Sequence, residues 1–499
     1  MSPEHFDVLI VGAGLSGIGA ACHLQAECPG KRYVILEGRD GIGGTWDLFR
    51  YPGIRSDSDM YTLGYSFKPW TQPKAIADGH SILDYIRETA REHDVDRHIR
   101  FGHRVTQLSW SSTNARWTVE AQRGSGGETV RFTCSFVFMC SGYYSYESGY
   151  TPQFAGAEQF KGRIVHPQQW TRDIDYAGKR VIVIGSGATA VTLVPEMART
   201  AAHVTMLQRS PTYIVSRPAQ DGVANWLRRR LPAKLAYGMV RWKNVLLGML
   251  FYQLARRRPE AMKKMIHKGL EKELGADYDI ATHFSPRYNP WDQRLCLVPD
   301  SDLFAALRKG SASVVTDHID TFTDQGIRLK SGKELPADLI VTATGLNLVP
   351  LGGAQVSVDG TPVDLSKTVG YKGMMYSGIP NLASAIGYTN ASWTLKCDLT
   401  CEYVCRLLNY MDRHGFRQCT PRRPDPSMAE QPWIDFSSGY VQRSLDKFPR
   451  QGAKAPWRLH QNYVLDLLAL RAGSVNDGVL QFVKISHGDH GAHGGRSKE

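Results

Sequence analysis

Two glycine-rich turns have the residue spacing of a dinucleotide-binding site. Glycine permits a tight turn and a close approach of the pyrophosphate, and the helix that follows points its N-terminal amides at the phosphates. The small residues of the two patterns are Gly12, Gly14 and Gly17 in the first and Gly185, Gly187 and Ala190 in the second. The chain is therefore predicted to bind two dinucleotides.

The residues that follow each turn indicate two different nucleotides. An apolar run at 33–36 ends at Glu37, twenty residues after Gly17, where a carboxylate can bind both ribose hydroxyls. The corresponding strand of the second unit is followed by Arg209 and Ser210, a pair suited to a 2′-phosphate. Because a carboxylate repels a 2′-phosphate, we predict FAD at the first turn and NADPH at the second.

Apolar runs precede both turns and are typical of buried parallel strands. They lie at 6–11 and 180–184, and two further runs, 136–142 and 338–345, end in small residues that return the chain to a cofactor crevice. The predicted fold is α/β, with two Rossmann-like dinucleotide-binding domains (FAD and NADPH) and a helical insertion in the NADPH domain.

The length of 499 residues exceeds what a single core usually supports. The predicted division is FAD-binding domain, first part, 1–148; NADPH-binding domain, first part, 149–222; helical insertion, 223–287; NADPH-binding domain, second part, 288–376; FAD-binding domain, second part, 377–486; and a disordered tail, 487–499.

The predicted insertion mixes apolar residues at helical spacing with many Lys and Arg. Its longest uncharged run, 244–255, is far shorter than the ~20 residues that span a bilayer. Two interpretations remain open. The helices partly cover the substrate site, or they form a basic amphipathic surface that docks on anionic lipid.

The overall charge and the cysteines limit the partners and the location. The net charge of +12 could reflect phosphate-bearing ligands, an acidic membrane surface or nucleic acid; two bound dinucleotides would explain only part of it, and we predict no nucleic-acid partner. None of the nine cysteines has C-x-x-C spacing, so no metal site is predicted. A cytoplasmic location is expected, with peripheral membrane contact left open, and the oligomeric state stays undetermined.

The segment between the two turns carries Phe160, Gly162, His166 and Trp170 in an F-x-G-x-x-x-H-x-x-x-W pattern. This pattern, placed between two unlike dinucleotide turns, resembles the fingerprint of Baeyer-Villiger monooxygenases. The loop 43–57, with G-G-x-W, then Y-P-G, then Asp, resembles a second motif of that family, and the similarity extends over nearly the whole chain.

The resemblance implies a reaction. NADPH reduces FAD, O2 forms a C4a-peroxyflavin, and one oxygen is inserted into a ketone to give an ester or lactone, with oxidation of sulfides or thioamides as a further activity. It also implies that Arg294 stabilises developing negative charge, that Asp57 orients Arg294, and that His166 sets how the two domains meet. From its surroundings alone, Arg294 is equally consistent with a structural role, a carboxylate partner or a place in the chemistry.

The resemblance assigns cofactor contacts as well. The implied FAD contacts are Gly12, Gly14, Ser16, Gly17, Glu37, Thr45, Trp46, Asp47, Leu48 and Val105; Arg55, Ser56 and Asp57 lie at the nicotinamide side; and the NADP contacts are Gly185, Ser186, Gly187, Ala188, Thr189, Ala190, Val191, Arg209 and Ser210. Gln293 stands where many family members have a Lys that helps to hold the 2′-phosphate, which lowers the expected strength of the preference for NADPH over NADH.

Three other functions fit parts of the sequence. A flavin monooxygenase that acts mainly on sulfur or nitrogen usually has Tyr or Phe at the position of Trp170. A flavin disulfide reductase needs a cysteine pair beside the flavin, and residues 38–65 contain no Cys. A lipid-docked, non-catalytic nucleotide-binding protein would leave Arg294 and Asp57 without a purpose.

Overall fold

A computed structural model describes residues 3–124, 126–423, 425 and 427–484, so the predicted tail 487–499 lies outside the described residues. The first part of the chain contains seven strands and four helices: β1 Glu4–Val11, α1 Leu15–Glu27, β2 Tyr33–Leu36, α2 Thr45–Leu48, α3 Met60–Leu63, α4 Gly79–Glu92, β3 Ile99–Arg100, β4 His103–Ser111, β5 Arg116–Arg123, β6 Glu128–Met139 and β7 Tyr144–Gly149.

The middle part contains the second glycine turn and a group of helices: β8 Arg163–Val165, β9 Arg180–Ile184, α5 Ala188–Met197, β10 His203–Gln208, β11 Ile214–Arg217, α6 Gly222–Arg228, α7 Ala233–Arg257, α8 Pro259–Leu274, α9 Ile280–Phe284, β12 Cys296–Pro299, α10 Asp302–Arg308, β13 Ala312–Thr316, β14 Ile319–Thr323, β15 Gly326–Leu329, β16 Glu334–Pro336, β17 Leu339–Thr342 and β18 Leu346–Leu348.

The last part returns to the first domain: β19 Gln355–Val358, β20 Thr361–Pro362, β21 Gly370–Tyr371, β22 Met375–Tyr376, β23 Leu382–Ser384, α11 Trp393–His414, β24 Gln418–Pro421, β25 Glu430–Pro432, α12 Gly439–Gln442, β26 Arg450–Gly452, α13 Tyr463–Leu467 and β27 Leu480–Val483.

The first domain is built on a nine-stranded mixed sheet. Its order is β20-β19-β4-β5-β6-β1-β2-β3, and β23 pairs with the end of β6. Strand β1 lies between two parallel neighbours, with Val11 opposite Leu36 of β2 and Met139 of β6. Three parallel strands therefore end at the same edge, and the first glycine turn follows β1 there.

The second domain is built on a five-stranded parallel sheet of order β13-β10-β9-β17-β8. Strand β9 is central, and the second glycine turn follows it as the first turn follows β1. The residues of β9 from Val181 to Ile184 are buried, as the apolar run predicts for a strand covered on both faces. The two sheets confirm the predicted α/β class.

The chain returns to the first sheet earlier than predicted. Strands β19 and β20 fall within the segment 288–376 that we assigned to the NADPH-binding domain, yet β19 pairs in parallel with β4, with Val356 opposite Leu108. Residues from Gln355 onward therefore extend the first sheet, and the boundary predicted at 376 lies about twenty residues too far along the chain.

The helical insertion is anchored on the first domain by one buried arginine of α7. The guanidinium of Arg241 donates to the carbonyl oxygens of Tyr61 at 2.9 Å and Gly64 at 2.7 Å and to the carboxylate of Asp398 on α11 at 3.2 Å. A buried charge is tolerated when it is paired and hydrogen-bonded in this way. Helix α7 also packs on α3, while α8 packs on α10 and β11, so the insertion contacts both domains.

Candidate active site

The two glycine turns line one continuous cleft of about 1400 Å³. A single small-molecule site usually measures roughly 300–1,000 Å³, so this cleft has room for more than one ligand. The predicted contact residues that line it are Gly12, Gly14, Ser16, Glu37, Thr45, Trp46, Arg55, Ser56, Asp57, Val105, Gly185, Ser186, Gly187, Ala188, Thr189, Arg209 and Ser210. Those set behind the lining are Gly17, Asp47, Leu48, Ala190 and Val191.

The residues behind the lining have packing or pairing roles. A Cβ on Gly17 would lie 1.9 Å from the carbonyl oxygen of Gly12, so α1 packs directly against the turn. Ala190 and Val191 are buried at the same place in the second unit. The carboxylate of Asp47, predicted to contact FAD, pairs with Arg39 and Arg87.

The shape of the first turn fits a pyrophosphate. Gly12 has φ +103°, and a Cβ there would lie 2.7 Å from the carbonyl oxygen of Cys140, so only glycine leaves the backbone open to a ligand. At the end of β2, the carboxylate of Glu37 accepts hydrogen bonds from the backbone N–H of Ala13 at 2.7 Å and of Arg39 at 2.9 Å. Burial raises the pKa of Glu37, and these two bonds oppose that rise.

The second turn has a basic neighbour that the sequence did not reveal. Arg209 and Ser210 follow β10, and the hydroxyl of Ser186 donates to the carbonyl of Ser210 at 3.1 Å. Lys330 lines the same cleft. The backbone N–H of Lys330 donates to the carbonyl of His318. The preceding residue, Asp317, donates its own N–H to the carbonyl of Gln208 at the end of β10. The positions are more than a hundred residues apart, so no local pattern could place Lys330 beside Arg209.

The central feature of the cleft is an ion pair between the two domains. Arg294 lies two residues before β12 in the second domain, and Asp57 lies before α3 in the first. The Nε group of Arg294 donates to Oδ2 of Asp57 at 2.6 Å, Nη2 lies 2.6 Å from the same oxygen, and Nη1 donates to the carbonyl of Thr389 at 3.2 Å. Of the three alternatives for Arg294, the structure shows a carboxylate partner, Asp57.

The surroundings hold Arg294 as a fixed cation. Burial alone would lower its pKa, but the charge of Asp57 and its hydrogen bond raise the pKa above the usual arginine value. About a third of each side chain is exposed, and Arg294 lines the cleft itself. The cation is therefore accessible to a ligand in the cleft without being free to turn away.

The loop that presents Arg294 is held by a contact within the loop and by a contact to helix α7. Trp291 adopts φ +74°, a left-handed conformation that costs an L-residue about 1 kcal/mol. Asp292 accepts a hydrogen bond from Arg256 of α7 at 2.7 Å and another from the N–H of Asn289 at 3.0 Å. These anchors keep the loop in a conformation that its residues do not prefer.

A second, small pocket of about 40 Å³ adjoins Arg294 and is rich in aromatic residues. Its lining includes Tyr143, Trp393, Trp433, Phe436 and Tyr440. None of these was singled out from the sequence, because aromatic residues scattered over three hundred positions give no periodic signal. Aromatic rings and the buried Lys396–Asp466 ion pair therefore lie together beside Arg294.

Arg55 and Ser56 line the cleft but have protein partners. Arg55 forms an ion pair with Asp302 at the start of α10, and Ser56 accepts a hydrogen bond from the N–H of Ser58 at 2.9 Å. Arg55 thus forms a second link between the domains, in addition to the Arg294–Asp57 pair.

His166 is placed at a domain joint and outside the cleft lining. Its Nε2 lies 3.1 Å from the carbonyl of Gly345, and its Nδ1 accepts the N–H of Gln168, so the neutral ring with a proton on Nε2 fits both contacts. Burial lowers its pKa, which favours that neutral form. A Cβ on Gly149 would lie 1.9 Å from the ring. The ring of His166 therefore packs between the backbone at Gly149 and the backbone at Gly345, and it does not line the cleft.

Known proteins resemble this chain in sequence and in fold. Residues 6–236 match the flavin-binding monooxygenase-like family model. The FAD-containing monooxygenase EthA of Mycobacterium tuberculosis is 58% identical over 482 residues, covering 96% of this chain and 98% of that protein. An oxidized steroid monooxygenase bound to NADP has a TM-score of 0.75 at 22% identity, covering 96% of this chain and 100% of that one.

A cyclohexanone monooxygenase bound to ε-caprolactone has a TM-score of 0.74 at 21% identity, again covering 96% of this chain and 100% of that one. These structural likenesses confirm the predicted two-domain fold. The sequence identity to EthA over almost the full length of both proteins goes further, and it confirms the predicted relation to FAD-containing monooxygenases. The chain belongs to the flavin-binding monooxygenase-like family.

Proposed function

We propose that this protein is an NADPH- and FAD-dependent monooxygenase that inserts one oxygen into ketones to form esters or lactones and also oxidises sulfides or thioamides. One observation carries the proposal: Arg294, paired with Asp57, lies in the cleft that both dinucleotide turns line. A fixed cation in such a place is suited to oxygen transfer.

The residues present fit the two cofactors. The turn at 12–17 and Glu37 would hold FAD, and the turn at 185–190 with Arg209 and Ser210 would hold NADPH. The similar protein EthA is named as FAD-containing, and the similar steroid monooxygenase has NADP bound. Bound FAD, reduced by NADPH, supplies the activation of O2 that the protein's own side chains lack.

Arg294 would stabilise negative charge that develops on oxygen as the substrate carbonyl is attacked. Because Asp57 and the carbonyl of Thr389 already orient the guanidinium, little reorganisation is needed when that charge appears. The aromatic side chains of Tyr143 and Tyr440, which also line the large cleft, would contact the apolar part of the substrate there and help to exclude water from it.

Product analysis tests this function. Purified protein with NADPH and O2 is expected to convert members of a panel of linear ketones, cyclic ketones and aryl sulfides to esters, lactones and sulfoxides. Products are identified by mass spectrometry and compared with the NADPH consumed. Sulfoxides without any ester would indicate an enzyme that acts mainly on sulfur, and NADPH loss with peroxide alone would contradict both activities.

Replacing Arg209 by Ala is expected to raise the KM for NADPH roughly 10- to 100-fold, the range for losing a hydrogen-bonded charged partner, and to change the KM for NADH little. Steady-state kinetics with both nucleotides measures the difference. Lys330→Ala should act in the same direction but less strongly. Equal effects on both nucleotides would contradict the assignment of this site to the 2′-phosphate.

A further inference from the structure

The positive charge of the protein is concentrated in the helical insertion. Residues 223–287 have a net charge of +9, against +12 for the whole chain, and residues 223–258 contain nine Lys or Arg and no Asp or Glu. Some of these cations are paired inside the protein, as Arg241 is with Asp398. Others, among them Arg229, Lys234 and Arg257, are exposed.

The same helices expose a row of large apolar side chains. On α7 they recur every three or four residues, so they lie on one face of the helix. This docking face comprises Leu235, Met239, Trp242, Leu246, Leu250 and Leu254, each of which is between 41% and 65% exposed. Single exposed apolar residues are ordinary, but a row along a helix of 25 residues, about 37 Å long, is not.

We propose that the docking face binds the surface of an anionic lipid bilayer. The apolar row would enter the boundary between headgroups and acyl chains while the surrounding Lys and Arg contact lipid phosphates. Arg230 lies over the ring of Trp226 at 4.6 Å in a cation–π contact. Tryptophan is common at membrane interfaces because its ring is apolar and its N–H is polar. In the described ranges, no helix is both long and apolar enough to cross a membrane, so the contact is at the surface.

The docking face continues toward the small pocket beside Arg294. Trp242 packs on Tyr463 at 5.7 Å between ring centroids, and the exposed Leu465 and Leu468 follow Tyr463 in the chain. Gln461 and Asp466 of the same segment line the aromatic pocket beside Arg294. One short segment thus contacts both surfaces, which suits an enzyme whose substrates dissolve in the bilayer.

Vesicle co-sedimentation tests the docking face directly. The full chain is expected to sediment with vesicles of phosphatidylcholine and phosphatidylglycerol and to bind pure phosphatidylcholine at least about 10-fold more weakly, because the cations need headgroups with a net negative charge. Binding should fall as NaCl rises from about 0.05 M to about 0.5 M. Equal binding to both vesicle types, or no binding to either, would overturn the proposal.

A charge placed in the apolar row provides the matched variant. The double change Leu246→Glu and Leu250→Glu should lower binding to anionic vesicles at least about 10-fold, with flavin content and NADPH oxidation unchanged. Phe101→Glu with Val483→Glu, at exposed positions outside the docking face, should bind as the wild type does. If light scattering shows a dimer that the first pair of changes dissociates, a second copy covers this face and the lipid assignment is wrong.

Discussion

Replacing Arg294 by Ala is expected to lower the rate of oxygen insertion about 100- to 1000-fold, the cost of removing one preorganised electrostatic group at a reacting oxygen. Reduction of the flavin by NADPH should continue, because neither glycine turn depends on Arg294. The change also leaves the carboxylate of Asp57 without its arginine partner, which adds to the loss.

Rapid mixing separates the two half-reactions of this variant. Flavin reduction is followed without O2, and ester or sulfoxide formation is then measured after O2 is admitted. Arg294→Lys is the control, since it keeps a positive charge but cannot bind Asp57 and the carbonyl of Thr389 at once with a planar fork. It should recover only part of the activity, and full ester formation by Arg294→Ala would remove Arg294 from the mechanism.

Replacing Gly17 by Ala is expected to prevent assembly of the flavin site. The new Cβ would lie 1.9 Å from the carbonyl oxygen of Gly12, so α1 must move away from the turn. Overpacking of this kind typically lowers the free energy of unfolding by about 1–3 kcal/mol. The first turn would lose its shape at the same time.

Flavin absorbance relative to protein, together with the thermal unfolding midpoint, measures this effect. Both should be clearly lower than in the wild type. Gly30→Ala is the matched control, because a Cβ there has no neighbour within 4 Å and both measurements should stay unchanged. Normal flavin content in Gly17→Ala would show that α1 can shift without cost, contrary to the packing seen here.

The elements that the sequence predicts well are those determined by local contacts. The strand, turn and helix around Gly12 follow from an apolar run, a glycine pattern and a helix start within about twenty residues, and the structure places all three as expected. The same holds for β9, the turn after it and α5. Short-range steric and hydrogen-bonding rules are sufficient for units of this length.

The features that the sequence could not settle all depend on distant contacts. Arg294 and Asp57 are 237 residues apart, so their pairing was one alternative among several. The return of β19 to the first sheet depends on its register with β4, and nothing in the four residues of β19 specifies that partner. Asp47 matched a family position, and the arginines packed around it pair with its carboxylate.

Arg256 stands near the end of α7 and holds Asp292, which is two residues before Arg294. This ion pair and the ring contact of Tyr252 with Trp291 join the helix that carries the proposed docking face to the loop that presents Arg294. Lipid phosphates gathering around α7 would compete with Asp292 for the same guanidinium. Turnover would then depend on the charge of the surface on which the enzyme rests, so lipid composition would act as an effector without any separate regulatory site.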